Sequence, residues 1–121
     1  MTLTVDVWIV DDEHPGGTRI LAVPEGVSDL AGFERTRSEL WGLAAVRSLG
    51  AAFLPQLADS DLWVGIDEVE AFAAECAVLL ANLPVIAAAS GWGEDFIKFR
   101  LTNMADAARR ARQAGGGVVV W

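Results

Sequence analysis

Apolar and polar residues alternate at the start of the chain. Every second residue from Leu3 to Ile9 is apolar, whereas the positions between them include Asp6 and Trp8. Period two is the spacing of side chains on a β-strand, so this pattern predicts a strand with one fully apolar face and one mixed face. Turn-forming residues occupy positions 11–17. A second strand over residues 18–23 would complete an antiparallel hairpin with a loop of about seven residues.

Two later segments carry the three- and four-residue spacing of an amphipathic helix. The first begins at Asp67, where Asp67 and Glu70 predict an acidic capping box, and its apolar positions continue to Leu83. The second begins at Glu94, with acidic residues at its start and arginines in its last turns, which favours the helix dipole. Glycines 115–117 are predicted to end it, because glycine adopts the left-handed conformation of a helix C-cap.

The segments between these landmarks each fit more than one conformation. Residues 28–49 start with good N-cap residues and carry helical spacing. They predict one helix or, because Gly42 weakens the run, a helix, a break and a second short helix. Pro55 opens or interrupts a short helical turn. Residues 62–66 fit an extended segment or a small edge strand, and residues 85–89 fit a strand or more helix.

The last apolar segment, Val118 to Trp121, is rich in β-branched residues. A strand of this kind must be buried or paired, and the N-terminal strand is its expected neighbour, in a direction that the pattern leaves open. The order of elements predicts an α+β fold. It comprises a small mixed sheet, made of the N-terminal hairpin and the C-terminal strand, with three or four helices packed on one face. A length of 121 residues without a linker predicts one domain over residues 1–121.

Composition sets outer bounds on function. Hydrophobic residues make up 53% of the chain, which is enough for a packed core, but no apolar run reaches the roughly 20 residues of a membrane span. The first residues carry no basic region, so we expect no signal peptide, no membrane partner and a cytoplasmic location. The single cysteine excludes an internal disulfide, and abundant Ala, Gly and Arg are typical of a GC-rich bacterial genome.

The formal charge is unevenly distributed along the chain. Residues 1–75 contain 14 acidic and 4 basic side chains, a net charge of −10, whereas residues 76–121 contain 3 acidic and 5 basic side chains, a net charge of +2. An acidic surface repels a phosphate backbone, so nucleic acid is not expected as a partner. Such a surface attracts basic proteins and accelerates their encounter, although the same charge would also serve solubility alone.

Candidate catalytic chemistry is sparse. The loop from Asp11 to His14 holds three carboxylates and the only histidine. These groups are able to bind a divalent metal, yet their spacing matches no known calcium or zinc pattern, and a solvated turn explains them as well. Cys76 falls on the apolar face of its predicted helix, which is typical of an inert buried thiol. The sequence therefore predicts no catalytic residue, no metal ligand and no cofactor.

Five tryptophans are many for a chain of this length. Trp8, on the mixed face of its strand, and Trp92, between two glycines, are the two most expected to be exposed. Exposed tryptophan is typical of the residues that anchor protein interfaces. Trp8 and Trp92 together with Asp11, Asp12 and Glu13 are the predicted partner-binding residues.

These features favour a non-enzymatic, acidic protein-binding module for a basic protein partner. In overall character the chain is similar to inhibitor-type proteins such as bacterial immunity proteins or antitoxins, a similarity of type that no particular motif carries. One alternative is a self-assembling structural protein, a homo-oligomer favoured by the high apolar fraction and the apolar terminal strand. A second alternative is a metal-dependent enzyme that uses the loop from Asp11 to His14.

Overall fold

A computed structural model describes all residues of the chain, 1–121. Five strands form one open sheet: β1 (Thr2–Val10), β2 (Thr18–Ile20), β3 (Leu30–Phe33), β4 (Leu62–Val64) and β5 (Gly117–Val120). Four α-helices accompany them: α1 (Ala44–Ser48), α2 (Val69–Leu80), α3 (Leu83–Ser90) and α4 (Glu94–Ala114). The predicted α+β class is confirmed. Every strand pair is antiparallel, however, so the sheet is not mixed.

The strands from the two ends of the chain form the centre of the sheet. β5 lies between β1 and β4, and the other edge of β1 pairs with β3 along its first residues and with β2 along its last. The register joins Val5 to Val120 and Val7 to Val118, which confirms the predicted adjacency of the first and last strands. Gly115 ends α4 as a left-handed C-cap with a φ of 70°, as predicted.

The helices pack on one face of this sheet. Leu3, Val5 and Val7 of β1 are buried beneath them. The predicted apolar face of α4 is confirmed by its fully buried or nearly fully buried residues Ile97, Leu101, Met104, Ala108 and Ala111. α2 packs along α4 and contributes its own buried row, Val69, Phe72, Cys76 and Leu79. The core therefore extends from the sheet past α4 to α2.

The segment predicted to begin a helix at residue 28 forms strand β3 instead. β3 pairs with Thr2–Thr4 of β1, and Gly32 has a φ of 137°, which an α-helix does not allow. The Thr36 hydroxyl closes the next turn by donating to a carbonyl of β3 at 2.7 Å. A π-helical turn at Arg37–Trp41 and the short helix α1 follow. Pairing with a distant strand thus overrides the local helical spacing.

The shorter segments each adopt one of the conformations that their sequences allow. The hairpin is confirmed with its seven-residue loop, although β2 covers three residues and not six. Residues 62–66 contain the edge strand β4, and residues 85–89 belong to α3. Pro55 lies in a 3-10 turn at Leu54–Ala58. No single helix is both long and apolar enough to cross a bilayer; Ile66–Leu80 and Leu83–Ser90 reach that threshold only as a pair, across a bend of 77°.

The helical segment that contains α2 is capped two residues earlier than predicted. A 3-10 turn at Ile66–Glu68 precedes the helix. The Glu68 side chain accepts the backbone N–H of Gly65 at 2.9 Å, and the Gly65 carbonyl accepts the backbone N–H of Glu68 at 2.9 Å. The prediction of a capping box between Asp67 and Glu70 is therefore wrong, because the chain already turns at Gly65.

A buried carboxylate joins α2 to the middle of the chain. Glu75 is only 9% exposed, and its two oxygens accept the backbone N–H groups of Ala52, Phe53 and Leu54 at distances of 2.6 to 3.2 Å. These N–H groups begin the 3-10 turn at Leu54–Ala58. The three donors compensate for removing the carboxylate from water, and the carboxylate satisfies donors that the turn leaves free.

Replacing Glu75 with Gln should lower the free energy of unfolding by about 2 kcal/mol, because the amide nitrogen would face backbone donors. Urea denaturation measures this change. Glu70→Gln is the matched control on the same helix, since its ion pair with Arg112 is exposed on both sides. We expect that control to change stability by less than about 0.5 kcal/mol. Equal losses in the two variants would contradict the role given to Glu75.

Candidate protein-binding face of the sheet

The sheet face opposite the helices carries most of the tryptophans. Alternation along β1 places Asp6 and Trp8 on this face, and the register aligns Asp6 with Val119 of β5 and Trp63 of β4. Trp121 follows β5 with the same parity and is joined to β1 by two backbone hydrogen bonds. We call Asp6, Trp8, Trp63, Val119 and Trp121 the tryptophan face.

Three indole rings form one contiguous apolar surface on this face. The ring of Trp63 lies 6.4 Å from that of Trp8 and 5.5 Å from that of Trp121, measured between centroids. Trp63 is 50% exposed and Trp121 is 39% exposed. Val10 and Ile20, which share the parity of Trp8, are also exposed and extend the surface towards β2. An exposed apolar patch of this kind is typical of an interaction site.

Hydrogen bonds hold two of the indoles in place. Trp8 Nε1 donates to the Val118 carbonyl at 3.2 Å, and Trp121 Nε1 donates to Asp6 Oδ2 at 2.9 Å. The Thr4 hydroxyl donates to the same Asp6 oxygen at 3.3 Å. The rings of Trp8 and Trp121 are therefore ordered before any partner binds, which lowers the entropy cost of association.

Two glycines of the 115–117 run have a role beyond the helix C-cap. A Cβ atom on Gly117 would overlap the ring of Trp8 and the carbonyl oxygen of Val64, and a Cβ atom on Gly116 would overlap the carbonyl oxygen of Trp8. The absence of side chains at these positions lets the Trp8 indole lie across β5. It also lets β1, β5 and β4 approach one another closely.

The acidic loop that follows β1 does not bring its side chains together. Asp11 pairs with Arg19 of β2 at 3.0 Å and accepts the backbone N–H of Glu13 at 3.1 Å; these donors hold the pKa of Asp11 below its ordinary value. Asp12, Glu13 and His14 are exposed. No group of three His, Cys, Asp or Glu side chains in the chain is arranged to hold a metal ion. The geometry of this loop therefore fits a solvated turn.

Trp92 belongs to a second aromatic cluster at the start of α4. Its ring stacks on Phe96 at 4.6 Å and lies 6.4 Å from Phe33, and the Arg35 guanidinium lies 5.8 Å from its centroid. Arg100 stacks on Phe96 at 3.7 Å, and burial lowers its pKa. None of the aromatic contacts of Trp92 reaches the tryptophan face. The cluster is stabilised internally by stacking and cation–π contacts.

Ion pairs confine the net charge to carboxylates that have no cationic partner. Of the 17 acidic and 9 basic side chains, six of each form ion pairs, which leaves eleven carboxylates and three cations unpaired. The net charge of −8 resides entirely in this unpaired set. Asp6, Asp12 and Glu13 belong to it, so the tryptophan face and the adjoining loop carry negative charge that no ion pair offsets.

The clefts of the molecule are lined mainly by apolar, acidic and arginine side chains. The two largest have volumes of about 310 Å³, and none of the four is lined by a histidine, a serine or the cysteine. Cys76 is fully buried, and desolvation together with the charge of Glu75 raises the pKa of its thiol to about 12. A thiol in this environment stays protonated at neutral pH and does not act as a nucleophile.

Comparisons with protein-family models, curated proteins and solved structures gave no match to this chain. Of the five predicted partner-binding residues, the structure places Trp8 within the tryptophan face and puts Asp11, Asp12 and Glu13 in the loop that continues its strand. Trp92 lies in the separate aromatic cluster.

The sequence prediction does not include four residues of the tryptophan face: Asp6, Trp63, Val119 and Trp121. Trp63 had a usable signal, because it alternates with the apolar residues Leu62 and Val64 and must point away from the face that they bury. To place Trp63 beside Trp8, however, the pairing of β4 with β5 and its register must also be known, and a single sequence does not provide them.

Replacing Gly117 with Ala should lower the free energy of unfolding by about 1–3 kcal/mol, because the added methyl group overlaps the Trp8 ring and backbone that cannot move away. Denaturation gives the stability, and near-ultraviolet circular dichroism follows the displaced indole. Gly93→Ala is the control: its φ is −69° and no atom crowds a Cβ there. We expect it to change stability by less than about 1 kcal/mol. An unchanged spectrum and stability in the Gly117 variant would refute this account.

The raised thiol pKa predicts a loss of stability at alkaline pH. Below the ordinary cysteine pKa of about 8.5, Cys76 is protonated in both states, and its contribution is fully present. Between that pH and the folded pKa of about 12, only the unfolded state ionises, so the free energy of unfolding falls by up to about 1.4 kcal/mol per pH unit. Urea denaturation of wild type and Cys76→Ala across this range isolates the effect. Parallel pH profiles would count against it.

Proposed function

We propose that the chain is a non-enzymatic protein-binding module that docks a protein partner on the tryptophan face. The observation that carries this proposal is Trp63, half exposed in the middle of three contacting indoles. Burial of exposed aromatic surface favours association, and tryptophan is enriched among the few residues that dominate the binding energy of interfaces.

The charge distribution supports a basic partner. Eleven carboxylates lack a cationic partner within the chain, and Asp12 and Glu13 extend beyond the strand that carries Trp8. A polar rim around an apolar centre is the usual arrangement of a protein interface. Unpaired carboxylates on such a rim would accelerate the encounter with a positively charged surface and make the association rate sensitive to salt.

A small acidic protein that covers the basic surface of its partner would act as an inhibitor of that partner. The similarity of type to inhibitor-type proteins such as immunity proteins and antitoxins is consistent with this proposed role. A cytoplasmic location and a bacterial source remain predictions from composition.

Self-assembly is a second candidate function, favoured by the position of Trp63 on the edge strand β4. A second copy could pair with this edge or stack on the indoles. The net charge of −8 on each copy and the unpaired Asp6 on the face oppose it. Salt discriminates between the candidates, because screening weakens a complex with a basic protein and strengthens the association of two like-charged copies.

Trp63→Ser should abolish capture of the partner by the immobilised chain from lysate of the source organism. Loss of a central tryptophan anchor costs about 2 kcal/mol or more, which is roughly a 30-fold loss of affinity. Phe99→Ser is the matched control, since Phe99 is 45% exposed but lies on α4. Quantitative mass spectrometry of proteins eluted at low and high salt measures the difference.

The proposal requires one discrete protein that wild type and the Phe99 variant retain, the Trp63 variant loses, and high salt releases. Retention of the same protein by the Trp63 variant would sink it. A purified chain that forms a homo-oligomer, stable in high salt and dissociated by Trp63→Ser, would instead support self-assembly. Light scattering measures that state directly.

A further inference from the structure

We infer that Asp6 and the adjacent indole of Trp121 form a recognition site for an arginine side chain of the partner. This inference rests on the proposed function, because it specifies the chemistry of the contact at the tryptophan face. It assigns Asp6 the central polar role on a surface that is otherwise apolar.

The first observation is the incomplete hydrogen bonding of Asp6. Both of its protein donors, Trp121 Nε1 at 2.9 Å and the Thr4 hydroxyl at 3.3 Å, bond to Oδ2. Oδ1 accepts no hydrogen bond from the chain, and it is not among the buried polar atoms that lack a partner, so it is open to solvent. A carboxylate has about four acceptor positions, and those of Oδ1 remain available.

The second observation is that Asp6 forms no ion pair, although most arginines of the chain form an ion pair with a carboxylate. Six of the eight arginines form ion pairs with other carboxylates, and none of the seven salt bridges includes Asp6. Asp6 lies on the central strand β1, in register with Val119 and Trp63 across the sheet. An unpaired carboxylate in the middle of an apolar docking surface would oppose binding of an apolar partner, because its desolvation would not be compensated.

The third observation is the contact between the Asp6 carboxylate and the indole of Trp121. Trp121 touches Asp6 through its Nε1 and touches Trp63 through its ring, so indole surface continues from the carboxylate outward. A cation within about 6 Å of an indole centroid is attracted by the ring quadrupole. Carboxylate and indole side by side therefore attract the same ligand group through two different interactions.

Arginine fits this combination better than lysine does. Its guanidinium is planar, donates hydrogen bonds to a carboxylate and stacks on an aromatic face while it does so. The chain itself already stacks Arg100 on Phe96 at 3.7 Å, but that group is held inside its own aromatic cluster. Because two copies would each bring a charge of −8, the arginine is expected from a different, basic protein.

A purely structural role for Asp6, as the acceptor that positions Trp121, makes a different prediction. Asp6→Asn keeps a carbonyl oxygen for the Trp121 N–H, but it removes the charge and replaces the open oxygen Oδ1 with an amide nitrogen that accepts no hydrogen bond. If Asp6 only positions the indole, this variant binds as the wild type does. If Asp6 recognises a guanidinium, the variant loses affinity with the indole still in place.

The experiment titrates the purified chain with a hexa-arginine peptide and follows the indole Nε1–H signals by nuclear magnetic resonance. We expect saturable shifts at Trp121 and Trp63, no shift at the buried Trp41, and weaker binding of hexa-lysine. Asp6→Asn should weaken the binding of hexa-arginine about fivefold. Asp12→Asn, which removes the same charge from the exposed loop, should weaken it less than about twofold. An unchanged signal of the buried Trp41, whose N–H donates to the Ala31 carbonyl and not to Asp6, verifies the fold of the free Asp6→Asn protein.

Equal effects of Asp6→Asn and Asp12→Asn would overturn the inference, since they would indicate general attraction between a basic peptide and an acidic protein. Equal binding of hexa-arginine by wild type and Asp6→Asn would overturn it as well. In either case, loss of partner capture in Trp63→Ser would leave the proposed function standing. Capture of the same partner by Trp63→Ser would instead contradict the proposed function itself, regardless of how the chain binds hexa-arginine.

Discussion

The structure depends on the close approach of three strands at Gly116 and Gly117. At this point β5 enters the sheet between β1 and β4, and any side chain on either glycine would overlap a neighbouring strand or the Trp8 ring. Because β5 enters here, strands from both ends of the chain become the centre of one sheet. α4, which leads directly into β5, is thereby held over β1, and its apolar face forms a large part of the core. The same approach leaves Trp8 lying across β5 on the other side.

The elements that local patterns specify could be predicted from the sequence. α4 has an unbroken apolar face, acidic residues at its start and a glycine C-cap, so the signals agree with one another. β3 is the opposite case. Leu30 and Phe33 fit helical spacing, but Gly32 adopts a φ of 137° and the segment is stabilised by hydrogen bonds to β1, which lies far earlier in the chain. The spacing of apolar residues carries no information about a pairing partner so distant in sequence, and the predicted helix is therefore wrong.

The residues of the candidate site also differ in whether a local pattern could predict them. Trp8 could be identified because its own strand shows clear alternation, which separates a buried side from a mixed side. Trp63 and Trp121 join it only through the register of β4 on β5 and of β5 on β1. A shift of one residue in either pairing would turn Trp63 into the core and Leu62 out of it. Trp92 lies between two glycines, and this local context predicts an exposed ring. The ring instead packs on Phe96 and Phe33, because α4 and β3 bring those side chains to it.

The two faces of the sheet are stabilised by different means, and this difference bears on function. One face is covered by helices. Its side chains are fully buried, so they stabilise the fold without a partner molecule. The other is covered by three indoles, and Trp63 among them is half exposed.

The exposed ring of Trp63 is not what folding requires at that position. A serine or threonine there would suit an edge strand facing water, and would remove a hydrophobic patch that favours aggregation. Two of the indoles, those of Trp8 and Trp121, are instead fixed by hydrogen bonds to Val118 and Asp6, and the Asp6 carboxylate has no cationic partner. Folding alone requires neither the exposed ring nor the open oxygen. The proposed partner would account for both if it buries the ring and donates to the oxygen, and the features that weaken this face in isolation would then make the complex specific.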